Sequence, residues 1–270
     1  MAGHSKWANI KHRKGRQDAK RGKLFAKLIK AIESAARNGG ADLSANPTLA
    51  TAVQKAKDNS VPKDNIERAI ARGAGDVDGV DYVEAFYEGY APGGVALYVE
   101  ILTDNRNRAA SDVRSAFTKN GGNLGEPGSV GYLFEQKGYI LAGGDEDTVM
   151  MAALEGGADD IKPDGDQWEI VCGPSDLQAV RAELEGAEVT IESSDVTYLP
   201  STSVPVDEAT APKVLRLVDA LEDLDDVQNV YANFDIPDSV FETLGDASPK
   251  AIGAPDFGPL LLRSPNICSY

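Results

Sequence analysis

Apolar residues recur at helical spacing near the start of the chain. Leu24, Phe25, Leu28, Ile29, Ile32, Ala35 and Ala36 predict an amphipathic helix over 17–38. At about 100° per residue these positions share one side, and Lys20, Lys23, Lys27 and Lys30 lie opposite. Arg21 is the exception, lying under the apolar stripe, and Asn38-Gly39-Gly40 supplies the stop. A second helix begins at Asn46-Pro47, a capping residue followed by proline at the first helical position, and carries Leu49, Ala52, Val53 and Ala56. Pro62 opens a third with Ile66, Ala69 and Ile70, closed by Gly73 and Gly75. Three short amphipathic helices can bury one another's stripes, which predicts an all-helical domain over 1–75. Its first 16 residues have no period and read as a flexible arm.

After a linker at 76–81 the pattern changes to alternating strands and helices. Residues 82–90 and 95–102 read as strands joined by the turn Ala91-Pro92-Gly93-Gly94. Thr103-Asp104-Asn105 can cap a helix running to Asn120. The Gly-rich stretch 121–131 follows a helix and lacks the Gly-Lys-Ser/Thr ending of a phosphate loop, so it reads as structural. Residues 137–204 read as a self-contained βαββαβ string, the ferredoxin-like split pattern. A helix over 207–224 and a strand over 227–234 have no partners of their own. Returning them to the sheet begun at Tyr82 makes 137–204 an insertion into a domain built from 82–136 and 205–236. The expected class is α+β: an N-terminal three-helix domain followed by two ferredoxin-like α/β domains, one inserted into the other. Residues 237–270, rich in Pro, Gly and Ser, read as a disordered tail.

Charge alters this picture. The formal net charge of −16 argues against a polyanionic partner until its distribution is considered. Residues 1–75 hold 16 Lys and Arg against 6 Asp and Glu, net +10, which leaves 11 against 37, net −26, for residues 76–270. A basic arm on an acidic body is a sign of nucleic-acid or membrane contact, with the acidic part turned away from the polyanion. No run approaches the roughly 18 apolar residues of a membrane span. The stretch from Leu24 to Ile32 is too interrupted by Lys27 and Lys30 to be a signal core. Cys172 and Cys268 match no metal spacing and are too few for a disulfide framework, so a reduced, cytoplasmic setting is expected.

The candidate nucleic-acid-binding residues are His4, Lys6, Trp7, Lys11, His12, Arg13, Lys14, Arg16, Lys20, Arg21, Lys23, Lys27 and Lys30, opposed within the run only by Asp18. Such a cluster neutralises phosphates and releases counterions, while Trp7 and His12 add flat surfaces that stack on unpaired bases. Neither histidine has a cysteine or carboxylate at ligand spacing. Lys55, Lys57, Lys63, Arg68 and Arg72 either extend the patch or form a solvated helix face. Asp219, Glu222, Asp223, Asp225 and Asp226 are a carboxylate cluster read as mostly solvent-facing, with no basic residue nearby, and so as acidic surface rather than a two-metal site. No arrangement of nucleophile and base appears. The expectation is a non-enzymatic protein with no catalytic residues, no metal, no cofactor, no membrane contact and no small-molecule substrate.

The run Gly-His-Ser-Lys-Trp-Ala-Asn-Ile-Lys-His-Arg-Lys at 3–14 resembles the start of the YebC/PmpR family, which includes the mitochondrial translational activator of cytochrome oxidase subunit I. Asn46-Pro47-Thr48-Leu49, the stretch 61–70, Tyr87 to Gly94, Thr103 to Arg108, Pro127 to Val130 and Leu221 to Tyr231 continue the resemblance. It covers about 1–244 and is similar to the bacterial branch; 251–270 departs from the short acidic endings of that family. The resemblance implies three domains, one α/β domain inserted in the other. It also implies one of two roles. The favoured one is a ribosome-associated factor that contacts ribosomal RNA, with ribosomal proteins as further partners, and relieves stalling at consecutive prolines. The alternative is a regulator of transcription that binds promoter DNA.

Overall fold

A computed structural model describes residues 17–75 and 81–236, with side chains from residue 22 onward. The arm and the 237–270 tail lie outside the described residues. Three helices come first: α1 (Gln17–Gly39), α2 (Pro47–Asp58) and α3 (Lys63–Ala74). The predicted stripes meet: Leu28, Ile32, Ala35 and Ala36 of α1 bury against Leu49, Val53 and Ala56 of α2 and Ile66 and Ala69 of α3. Asn46 joins them locally. Its carbonyl accepts the Leu49 N–H at 3.1 Å, capping α2, while its amide donates to the carbonyls of Ala35 and Gly40 at 2.9 Å each, closing the end of α1. At Gly73, a Cβ would stand 2.3 Å from the Glu33 carbonyl oxygen and 2.8 Å from the Ala36 Cβ. That close approach of α3 to α1 requires glycine.

The body is built on two antiparallel sheets. The first takes β1 (Val83–Tyr90), β2 (Ala96–Thr103), β3 (Asn123–Leu124) and β9 (Val227–Ala232) in the order β3-β1-β2-β9. It is covered on one side by α4 (Arg106–Lys119) and α7 (Ala211–Glu222), where Leu97, Val99, Ile101, Phe117, Leu217 and Leu221 are fully buried. The second contains β4 (Phe134–Gly143), β5 (Ala158–Asp164), β6 (Gln167–Cys172) and β7 (Thr190–Pro200) in the order β5-β6-β4-β7. Helices α5 (Glu146–Glu155) and α6 (Leu177–Gly186) supply Val149, Ala152, Val180 and Leu184 to its core, facing Ile140 and Ile170. Chain order β4-α5-β5-β6-α6-β7 with that strand order is the ferredoxin-like arrangement. β4 starts at Phe134, so this strand runs unbroken across the division placed at 136/137. A short parallel pair, β8 (Val204–Pro205) and β10 (Phe234–Asp235), ties the return segment to the last described strand.

The two sheets are joined by aromatics. Tyr98 stacks on Phe86 (centroids 4.6 Å apart) on the open face of the first sheet, and meets Phe134 and Tyr198 from β4 and β7. Tyr198 also lies 5.1 Å from Tyr231. Tyr231 donates its hydroxyl to Glu100 at 2.7 Å, so the polar end of this buried ring is satisfied.

The Gly-rich loop closes on a buried carboxylate. Glu88 of β1 accepts N–H groups of Gly128 (2.7 Å), Val130 (2.6 Å) and Gly131 (2.7 Å). The converging donors that would cradle a phosphate are thus filled by the protein itself. Burial pushes the Glu88 carboxyl up, but the three donors outweigh it and hold it below the usual range. Glu88→Gln keeps the shape yet turns an amide donor toward donors. We expect it to cost about 2–4 kcal/mol in denaturant unfolding. The carboxylate's contribution is present above its unfolded pKa and disappears as pH falls through the lowered folded value, so the variant's deficit shrinks in acid. A constant deficit from neutral pH to pH 3 would contradict this account.

Candidate nucleic-acid interface

On α1, Lys23, Lys27 and Lys30, opposite the bundle core, each reach an acceptor of the acidic body. Lys23 Nζ donates to the Asp223 carbonyl at 2.9 Å and Lys27 Nζ to the Glu222 carbonyl at 2.6 Å. These are carbonyls at the C-terminal end of α7, where backbone acceptors lack helical partners and the helix dipole is negative. One turn along α1, Lys30 Nζ reaches Asp226 Oδ1 at 2.9 Å and stands 5.1 Å from the centroid of the Tyr82 ring. From the other side Arg108 grips the same carboxylate with Nε (3.1 Å) and Nη2 (2.8 and 3.0 Å), and holds Asp104 at 2.6 Å.

Asp226 is 7% exposed. Its burial raises the carboxyl pKa, but hydrogen bonds from Lys30, Arg108 and Thr103 more than offset this and hold it below the ordinary range. A recess of about 210 Å³ beside it, lined by Lys23, Arg108, Asp112 and Asp223 to Val227, carries both signs of charge.

Two sequence-based expectations bear on these contacts. Lys23, Lys27 and Lys30, expected on nucleic acid, are held by the protein's own α7 terminus and the loop after it. The carboxylates expected to face solvent without basic partners include Asp226, which is buried between two cations; Asp223 and Asp225 are exposed. One physical reason covers both: the side of α1 that the bundle does not use is the side on which the acidic body docks. Among the described residues, no cluster of His, Cys, Asp and Glu is disposed to hold a metal ion. No described helix is long and apolar enough to cross a membrane.

Most other described cations of the helical domain are also engaged. Lys55 pairs with Asp195 of β7, Arg72 with Glu33 at 2.5 Å, and Arg37 with Asp81 at 3.1 Å. Asp58, at the end of α2, pairs with Arg181 of α6 at 3.0 Å. Arg68 stays within its own helix, on Asn65 Oδ1 (2.5 Å) and the Asp64 carbonyl (3.0 Å), and Lys63 lies 3.5 Å from Glu67. Lys57 is exposed. His4, Lys6, Trp7, Lys11, His12, Arg13, Lys14 and Arg16 lie outside the described residues, as do the side chains of Lys20 and Arg21. Periodicity did not reveal Thr103, Arg108 and Asp226 as the counterpart of the α1 lysines. The available signal was the pairing of a basic run, Arg106-Asn107-Arg108, with an acidic run, Asp223 to Asp226, in two separate motifs.

Comparison with known proteins covers nearly the whole described chain. A model of the TACO1/YebC protein N-terminal domain matches residues 5–76, and one of the TACO1/YebC second and third domain matches residues 82–234. A probable transcriptional regulatory protein of Thermobifida fusca is 60% identical over 244 residues, covering 89% of this chain and 98% of that protein. One from Mycolicibacterium smegmatis is 58% identical over 250 residues, covering 91% of this chain and all of that protein. The crystal structure of a conserved hypothetical protein from Aquifex aeolicus superposes with a TM-score of 0.74 at 50% identity, covering 82% of this chain and 92% of that one.

Proposed function

Because the chain belongs to the TACO1/YebC family, we propose that it is a cytoplasmic, nucleic-acid-binding regulator, and specifically a ribosome-associated, RNA-binding translation factor that helps elongation through proline-rich stretches. The observation that carries the binding role is the division of charge, sharpened by the fate of the α1 lysines. From Lys23 onward the cations of α1 serve the acidic body, so the polyanion falls to Lys6, Lys11, Arg13, Lys14, Arg16, Lys20 and Arg21, with Asp18 alone opposed to them in the run. Trp7 and His12 within that run favour irregular RNA, whose unpaired bases offer faces for stacking. The protein is a binder rather than a catalyst; the buried member of the acidic cluster, Asp226, is paired with Lys30 and Arg108 and so is not free to hold the metal ions of a nuclease.

Sedimentation of a lysate tests the ribosomal role. The protein should co-sediment with ribosomes at low salt and leave them as salt rises, and a strain lacking it should lose output from a reporter with consecutive prolines. Absence from ribosomal fractions at low salt would refute the proposal. The names of the bacterial relatives support a second reading, regulation of transcription at promoter DNA. Retention of one duplex over scrambled DNA at physiological salt would favour it; uniform, salt-erased binding would not.

A further inference from the structure

Helix α5 of the inserted domain, Glu146–Glu155, is apolar on both sides. Val149, Ala152 and Ala153 enter the core. Met150, Met151 and Leu154 project away from it, exposed by 39%, 72% and 63%. Helical geometry places these three within a 100° arc on the outer side. A helix that is hydrophobic all round is ordinarily buried, and this one is in the outer layer of its domain. Helix propensity does not require these residues, since Glu, Gln and Lys serve as well as Met and Leu on an exposed face. Met, flexible and polarizable, is typical of surfaces that receive a partner.

The surroundings indicate what kind of partner. Between Lys137 and Lys162 there is no basic residue, and Asp145, Glu146, Asp147 and Glu155 are all exposed, while Asp159 and Asp160 pair with those two flanking lysines. An apolar strip in that field repels phosphate and attracts cationic groups.

We propose that the Met150–Met151–Leu154 face of α5 is a docking surface for a cationic segment of a second protein, with a large apolar side chain seated on the methionines and Lys or Arg beside Glu146, Asp147 and Glu155. This surface belongs to the acidic body and does not depend on what the N-terminal arm binds.

The test uses the full chain in cells, with p-benzoylphenylalanine placed at Met151, or at the exposed polar position Glu192 as a control. After irradiation the attached peptide is sequenced. The expected attachment is to one other protein, through a segment rich in Lys and Arg that also carries large apolar residues. Leu154→Asp should abolish it, and Glu146→Gln, Asp147→Asn and Glu155→Gln together should lower it roughly fivefold, as loss of rim charge slows encounter. Both variants should keep the wild-type melting temperature and nucleic-acid affinity, which separates this surface from the arm. Attachment to RNA, to a second copy of the chain or to an acidic segment would overturn the proposal. So would a yield no higher than at Glu192, or an attachment indifferent to the rim charges.

Discussion

Replacing Lys11 and Arg13 together by Ala lowers affinity for RNA and duplex DNA, whereas replacing Lys23 and Lys27 by Ala leaves it nearly unchanged. Each phosphate contact on duplex DNA contributes about 0.9 to the slope of log K against log salt, so the arm variant should lose a slope of roughly 1.8. At about 0.1 M salt the same relation gives a loss of ten- to a hundredfold in affinity. The second variant instead uncaps the end of α7, where Lys23 and Lys27 donate to the carbonyls of Asp223 and Glu222. It should appear in stability, at about 0.5–2 kcal/mol, with the salt slope intact. Fluorescence anisotropy on one labelled RNA and one labelled duplex, over a series of salt concentrations, distinguishes the two. Equal slope losses would put the α1 lysines on the nucleic acid and detach them from α7.

Asp226→Ala is expected to loosen the helical domain from the acidic body. It leaves Lys30, whose side chain is 16% exposed, without its carboxylate; Arg108 keeps Asp104 and is 47% exposed, so water repays part of its loss. We expect about 2–4 kcal/mol, read as faster amide hydrogen exchange in α1 and along the 223–227 loop before the sheets themselves open. Lys30→Met with Asp226→Leu should cost less than Asp226→Ala alone, because no charge is left buried and unpaired. The pH dependence has a definite sign. The folded pKa of Asp226 lies below its unfolded value. Its contribution is therefore complete above the unfolded value, about 3.9, and disappears as pH falls through the folded one. Loosening of α1 from the body should accordingly appear only in strong acid, and in the Ala variant already at neutral pH. Unchanged exchange in α1 would show that the pair does not hold the helical domain.

Much of the architecture was legible in the residues. The 3.6-residue period marked α1 to within a residue of its C-terminal end, Asn46-Pro47 marked the start of α2, and the alternating runs marked most strands of both sheets. These features depend on neighbours in sequence: a cap three residues from its N–H, a stripe within one helix, a turn between two strands. Ends were less legible where tertiary contact extends an element. The sequence reads as extended over 132–135 and as a separate strand over 138–142; the two are one strand, β4, whose first residue, Phe134, packs in the aromatic cluster with Tyr98.

The candidate site divides along the same line. Sequence alone determined that positive charge gathers before residue 76 and negative charge after it, because a count of ionisable groups needs no geometry. It also determined that Lys23, Lys27 and Lys30 share a face, since helical periodicity places them there. Only the tertiary structure decided what that face meets. It brings the end of α7 and Asp226, some two hundred residues away in the chain, to hydrogen-bond distance of the lysines, and closes the Gly-rich loop on Glu88 rather than on a ligand. A lysine opposite an apolar stripe looks the same in sequence whether it faces phosphate, water or a carboxylate from another domain. Coulombic and hydrogen-bond energies depend on distance and burial, and folding alone sets those.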